Sequence, residues 1–205
     1  VGTQRVWTNR PFGGDSVEQL LELARPSRLS FAAVRLPTLL ERVVDLCAHE
    51  LDSRGVRLTR EYARDLPAIW ADADALHQSI VNLVRNALDA MPNGGRRVLR
   101  VGWPGTEDIV VAGSRSPGAG RRVQIEVEDS GVGIAPDAAD RVFNPFFSTK
   151  ESGTGLGLAL THKIVEDHGG VIDFRAASGG GTIFRIALPL FPDPPAETGT
   201  GDELR

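Results

Sequence analysis

The chain has 205 residues, 41% hydrophobic and 24% charged, a composition that can bury a core and excludes a wholly disordered polymer. Its net charge of −4 supplies no broad basic field for nucleic acid or an anionic membrane, so any anion must be held locally. Cys47 is the only cysteine, which excludes an internal disulfide, and no apolar run approaches the roughly 18 residues of a membrane span, so a cytoplasmic domain without membrane contact is expected.

Residues 1–14 carry no period and read as a loop. Asp15 or Ser16 opens a short helix that runs to Arg25 and stops at Pro26. From Phe31 the chain alternates through Val34 and Leu36, and Pro37 then opens a helix carrying Leu39, Leu40, Val43, Val44, Leu46 and Cys47. Val56, Leu58 and Tyr62 alternate as a strand, residues 68–71 form a second, and Asp72 or Asp74 caps the helix that follows. That helix, 73–91, is the best-marked element, with Leu76, Ile80, Leu83, Val84, Ala87, Leu88 and Met91 along one face.

Residues 98–103 and 122–128 alternate as neighbouring antiparallel strands around an excursion at 104–120 rich in Gly, Pro and Ser. A helix from Gly155 to about His168 and strands at 171–175 and 182–188 complete the core, and 192–205 read as a solvated tail. The elements imply an α+β fold, a mixed sheet covered on one face by about three helices. The expected organisation is an N-terminal loop and helix stub over 1–30, one domain over 31–190 and a tail over 191–205.

Four polar or glycine-rich clusters interrupt this pattern. Asn82 and Asn86 stand four apart on the long helix, so both amide oxygens share one face, where they could meet a cation or lie idle in solvent. Asp129-Ser130-Gly131-Val132-Gly133-Ile134 follows a strand; its carboxylate could accept an exocyclic amine and its glycines allow close backbone approach, although the same residues make good turns. Residues 143–150, Phe-Asn-Pro-Phe-Phe-Ser-Thr-Lys, combine aromatic anchors, of core or hinge type, with Lys150 for an anion. Gly153-Thr154-Gly155-Leu156-Gly157-Leu158 opens a helix whose free N–H groups suit phosphate oxygens.

In order and spacing these clusters resemble the N box, first glycine box, F box and second glycine box of the ATP-binding domain of sensor histidine kinases, in the GHKL superfamily. Gly179-Gly180-Gly181-Thr182 with Phe184 is similar to the family's last glycine box, and the F box resembles that of the nitrogen-regulation class. The resemblance covers about 31–190 and implies a two-layer Bergerat sandwich that binds ATP and Mg²⁺. It implies Asn86 as the Mg²⁺ ligand with Asn82 assisting, Asp129 for the adenine amine, Gly131, Gly133 and Ile134 shaping the pocket, and Thr182 near the base. Gly153, Thr154, Gly155, Leu156, Gly157 and Leu158 would line the phosphates, Lys150 and Arg85 would offset their charge, Asp89 and Phe147 would complete the site, and 148–154 would form a lid.

ATP-hydrolysing relatives such as gyrase carry a glutamate base four residues before the metal-binding Asn. Asn82 holds that position here, and a neutral amide takes no proton, which favours transfer to a protein nucleophile over hydrolysis. Catalysis would rest on Asn82, Asn86 and Lys150 through positioning and charge neutralisation. Of His49, His77, His162 and His168, none stands in the phospho-acceptor pattern; His49-Glu50 lacks its later Pro or Asn. His168 reads as a cationic helix end. The acceptor histidine is therefore expected on a dimerisation domain outside this sequence, in cis or in trans, with a response regulator downstream, and this chain is expected to be a monomer. An ATP/ADP-sensing domain without transfer, or an anti-sigma-type serine kinase, is the alternative.

Overall fold

The computed structural model describes residues 29–104, 122–150 and 153–190. The loop at 1–14, the helix stub at 15–25, the excursion beyond Pro104, the tail at 192–205 and lid positions 151 and 152 lie outside the described residues. The elements run β1 (Ala32–Val34), α1 (Leu36–Ser53), β2 (Val56–Tyr62), β3 (Ile69–Ala71), α2 (Ala73–Asp89), β4 (Gly95–Gly102), β5 (Arg122–Asp129), α3 (Gly157–Asp167), β6 (Val171–Ala176) and β7 (Thr182–Pro189). A short 3-10 turn, Ala139–Arg141, lies between β5 and α3.

Five strands form one mixed sheet in the order β2-β4-β5-β7-β6, and β1 pairs with β3 in a separate antiparallel ribbon. Only β2 and β4 run parallel within the large sheet, because their connection crosses over through β3 and α2. The strands expected at 98–103 and 122–128 are antiparallel neighbours, β4 and β5. α1 lies over β2, α2 over β5 and α3 over β6, so all three helices cover one face, as the apolar stripes predict. Leu36, Leu40, Leu76, Ile80, Leu83 and Leu88 meet Leu99, Ile125 and Ile186 of the sheet, all at most 1% exposed. Truncating one of these leucines to alanine costs about 2–5 kcal/mol.

The opposite face of the sheet carries charged pairs around the buried Val98, Ile183 and Ala187. Arg100 reaches Glu61 and Glu128 at 2.6 Å and Glu126 at 3.3 Å, and Arg185 pairs with Asp173 at 2.7 Å. The fold is therefore a two-layer sandwich whose main core lies between helices and sheet. Asp72, not Asp74, caps α2, its carboxylate accepting from the N–H groups of Asp74 and Ala75.

Three boundaries differ from expectation by two residues or more. α2 stops at Asp89, and Met91 is buried just beyond the helix end. α3 begins at Gly157, because Gly155 sits at φ 69°, outside helical space. β4 begins at Gly95, so Arg96 and Arg97 belong to the strand.

Candidate active site

The C-terminal half of α2, the end of β5, the start of β7 and the N-terminus of α3 converge at one end of the sandwich. On α2, Asn82 and Asn86 share a face with Asp89, one and two turns along. Asn82 Nδ2 donates to the Gly157 carbonyl at 3.4 Å, and a Cβ on Gly157 would lie 3.6 Å from that amide. The Asn face therefore looks onto the first turn of α3. Leu156 precedes this helix with no side-chain cap on its first N–H groups among the described residues, which leaves donors and the positive end of the dipole facing the site.

Asp129 ends β5 and is 2% exposed. Its Oδ1 accepts from the Gly131 N–H at 2.8 Å and the Thr182 N–H at 3.3 Å. Both donors go to one oxygen, so the second remains for a ligand. Burial raises the Asp129 carboxyl above its ordinary range, while those two N–H groups and Arg97 pull it back. The surrounding glycines are sterically required: a Cβ on Gly131 would come within 2.5 Å of the Ala90 carbonyl oxygen, and one on Gly181, at φ 95°, would overlap the Asp129 backbone. Gly133 sits at φ 77° beside Gly181, and Ile134 packs against the core.

The F box and the second glycine box are joined backbone to backbone. Phe146 N–H donates to the Gly155 carbonyl at 3.0 Å, and a Cβ on Gly155 would strike the Phe146 and Phe147 backbone. Phe143 packs among Phe174, Phe184 and His162, so this aromatic is a core residue. Phe147 lies under the Arg141 guanidinium, 4.4 Å from its ring centre, and Phe146, at φ 67°, is exposed. Leu156 is buried and Leu158 packs against the core, whereas Gly153 and Thr154 are exposed.

Lys150 reaches back across the Asn face, its Nζ 2.9 Å from Asn86 Oδ1 and 2.8 Å from Asp89 Oδ2. A cation therefore already fits between these two oxygens. Arg85, expected to share the charge-offsetting role, is turned away from this cluster and pairs with Glu50 of α1 at 3.6 Å.

Three residues escaped the sequence reading. Arg54 donates to both the Leu88 carbonyl and Asp89 Oδ1 at 3.2 Å, fastening the end of α2. Arg97 is fully buried beneath the site. His168 stands at the helix end expected, as the C-cap of α3, but not as a cation: it is 3% exposed, its Nε2 accepts the Asp72 N–H at 3.0 Å, and its Nδ1–H donates to the Ile164 carbonyl at 2.7 Å. That pair of bonds requires the neutral ring and ties the end of α3 to the cap of α2. His49 is exposed, and His162 pairs with Glu166 on the surface of α3.

Residues 71–192 match the family described as histidine kinase-, DNA gyrase B-, and HSP90-like ATPase. Sensor histidine kinase ZraS of Escherichia coli strain K12 is 40% identical over 174 residues, which cover 85% of this chain and 34% of that protein. Sensory histidine kinase/phosphatase NtrB of Azospirillum brasilense is 36% identical over 166 residues, 78% of this chain and 40% of that one. The chain thus spans between a third and two fifths of the length of these relatives. Full-length ShkA in complex with AMPPNP superposes with a TM-score of 0.70 at 29% identity, over 86% of this chain and 35% of that one. The nucleotide-free catalytic domain of histidine kinase ThkA gives 0.65 at 28% identity, over 80% of this chain and 100% of that one.

Proposed function

The chain belongs to the family of histidine kinase-, DNA gyrase B-, and HSP90-like ATPases, and from that premise we propose that it binds Mg-ATP and passes the γ-phosphate to a histidine on a separate dimerisation domain of a two-component sensor kinase. The observation that carries the reading is the opposition of the Asn82–Asn86 face to the uncapped first turn of α3, with a buried carboxylate at the far end. Asp129 accepts the exocyclic amine of adenine, with Gly131, Gly133 and Ile134 beside the base and Thr182 fixing the carboxylate. The N–H groups around Gly155, Leu156 and Gly157 receive phosphate oxygens.

The Asn86 oxygen suits Mg²⁺, since it already accepts a cation in the form of the Lys150 ammonium. Held by Asn86, Mg²⁺ would supply charge neutralisation to the bound triphosphate. Asn82 contributes positioning and, being neutral, does not act as a base toward water. Lys150 exchanges Asn86 and Asp89 for phosphate oxygen. A response regulator that takes the phosphoryl group onward completes the proposed pathway.

Calorimetric titration with ATP and GTP, with and without Mg²⁺, tests the reading. Selective ATP binding that Mg²⁺ strengthens, followed by phosphorylation of a supplied histidine-bearing domain, is the expected result. Equal affinity for both nucleotides contradicts the adenine role of Asp129. ATP binding without transfer to any supplied acceptor favours the sensing alternative.

A further inference from the structure

On β4 the positions facing the helices are 97, 99 and 101; Leu99 and Val101 satisfy the alternation and Arg97 breaks it. Arg97 is 0% exposed, and its Nη2 donates to the Val84 carbonyl of α2 at 2.5 Å. Its Nε and Nη1 have no hydrogen-bond partner among the described residues. Burial lowers the guanidinium to about 10, so it stays cationic at neutral pH. An apolar residue would satisfy this position better on packing grounds alone, because a buried charge with unmet donors is costly.

The cross-strand neighbour of Arg97 is Asp129. Directly opposed residues of an antiparallel pair lie on the same face with Cβ atoms about 4.5–5.5 Å apart, so the two buried side chains rise from adjacent points of the sheet and the cation acts on the carboxylate through space, without a direct ion pair between them. Other charges nearby are engaged elsewhere or act the other way: Glu128 of β5 opposes ionisation of Asp129, Arg54 is held by Asp89, and Glu50 pairs with Arg85. Cys47 of α1 is the remaining titratable neighbour of Arg97, and burial raises its thiol.

We propose that Arg97 is a positioning residue for the nucleotide site, a buried cation set opposite Asp129 in the β4–β5 register that supports this carboxylate as the adenine acceptor while fastening β4 to the turn of α2 between Asn82 and Asn86. The role rests on Asp129 as the adenine acceptor. Arg97 touches no ligand itself and acts from beneath, through the strand register.

The test follows the Asp129 carboxyl resonance by NMR in the nucleotide-free chain and ATP affinity by calorimetry, both across pH, in the parent, Arg97→Met, Arg97→Lys and Asp129→Asn. In Arg97→Met the Asp129 midpoint rises by about one unit or more. The acid limb of ATP affinity moves up with it, so that binding weakens most on the acid side of neutrality and changes by less than about twofold in alkali, where Asp129 is ionised regardless. Arg97→Lys keeps the charge and stays near the parent profile. Arg97→Gln, neutral but polar, gives the same reading should Arg97→Met not fold. An unmoved Asp129 midpoint in the folded neutral variant, with Asp129→Asn still weakening ATP, overturns the proposal alone. A midpoint that moves while ATP affinity ignores both Arg97→Met and Asp129→Asn removes Asp129 from the adenine site and Arg97 with it.

Discussion

The two ends of the site are built by different means. At the base end, Asp129 is 2% exposed, its bonds come from backbone N–H groups, and glycines are pressed against backbone atoms. At the phosphate end, Lys150, Asn86 and Asp89 hold one another through side chains, and the Lys150 and Asp89 side chains are 39% and 40% exposed. Backbone-built geometry is fixed before a ligand arrives, whereas side-chain pairs at that exposure are worth about 0–1 kcal/mol and exchange partners readily. The base end is thus preorganised to select; at the phosphate end the backbone joint of Gly155 with Phe146 and Phe147 is just as fixed, and it is the Lys150, Asn86 and Asp89 side chains that are able to rearrange around metal and triphosphate.

The sharpest way to break this contrast is to place a methyl group at each end. Gly131→Ala forces a Cβ against the Ala90 carbonyl and is expected to lose about 1–3 kcal/mol of stability with at least tenfold weaker ATP binding. At Gly153 the nearest obstacle is the Ser148 hydroxyl, an exposed side-chain group that bonds the N–H and carbonyl of Lys150, so Gly153→Ala displaces that small turn and is expected to lower stability by about 0.5–1 kcal/mol, less than Gly131→Ala. Thermal unfolding of the pair decides. Equal losses would mean that the turn at Gly153 is as rigid as the base end.

Asp129→Asn separates function from stability at the base end. Loss of a charge-assisted acceptor should weaken ATP about 10–100-fold. Stability should move the opposite way. Burial raises the Asp129 carboxyl in the folded state, so the native protein binds that proton more tightly than the unfolded chain, and ionisation costs stability as pH rises through the folded value. The variant should therefore melt higher than the parent at neutral pH, with the advantage shrinking in acid and gone below the ordinary carboxylate value of 3.8. A lower melting point at neutral pH would show that Asp129 holds the fold together, not only the ligand.

The difference between the ends also governs what could be read from sequence. α2 was legible because its apolar stripe and Asp72 cap are local signals, and the Asn pair followed from helical spacing alone. The glycines of the base end were legible as a pattern, but their necessity is a long-range fact: Gly131 meets Ala90, and Gly181 meets Asp129. Arg97 was hidden because Gly94-Gly95-Arg96-Arg97 resembles a solvated turn, and a buried arginine violates the period that identifies a strand. His168 was misread for a similar reason, since its partner Asp72 lies 96 residues earlier.

Lys150→Met probes the rearranging end. Melting temperature should stay within about 1 °C of the parent, because the pairs lost are exposed. ATP affinity should fall about fivefold, less at high salt, where exposed charges are screened. Asn86→Ala in the same assay should remove the strengthening by Mg²⁺. A Lys150→Met variant that binds ATP more tightly would reverse the picture, making the lysine a competitor for the metal position.

Arg85→Ala should have the smallest effect and carries the finest distinction. Helical spacing alone puts Arg85 within reach of two neighbours, the phosphate end and α1, and the folded chain turns it to Glu50 at 3.6 Å. With its side chain 56% exposed, that pair contributes little to stability, so melting should shift by no more than the Lys150→Met variant. ATP affinity should change by less than about twofold, since a screened charge beyond the ligand's contact distance acts weakly. A loss equal to that of Lys150→Met would mean that nucleotide binding draws Arg85 from Glu50 into the site, extending rearrangement from the lid to the α1 side of α2.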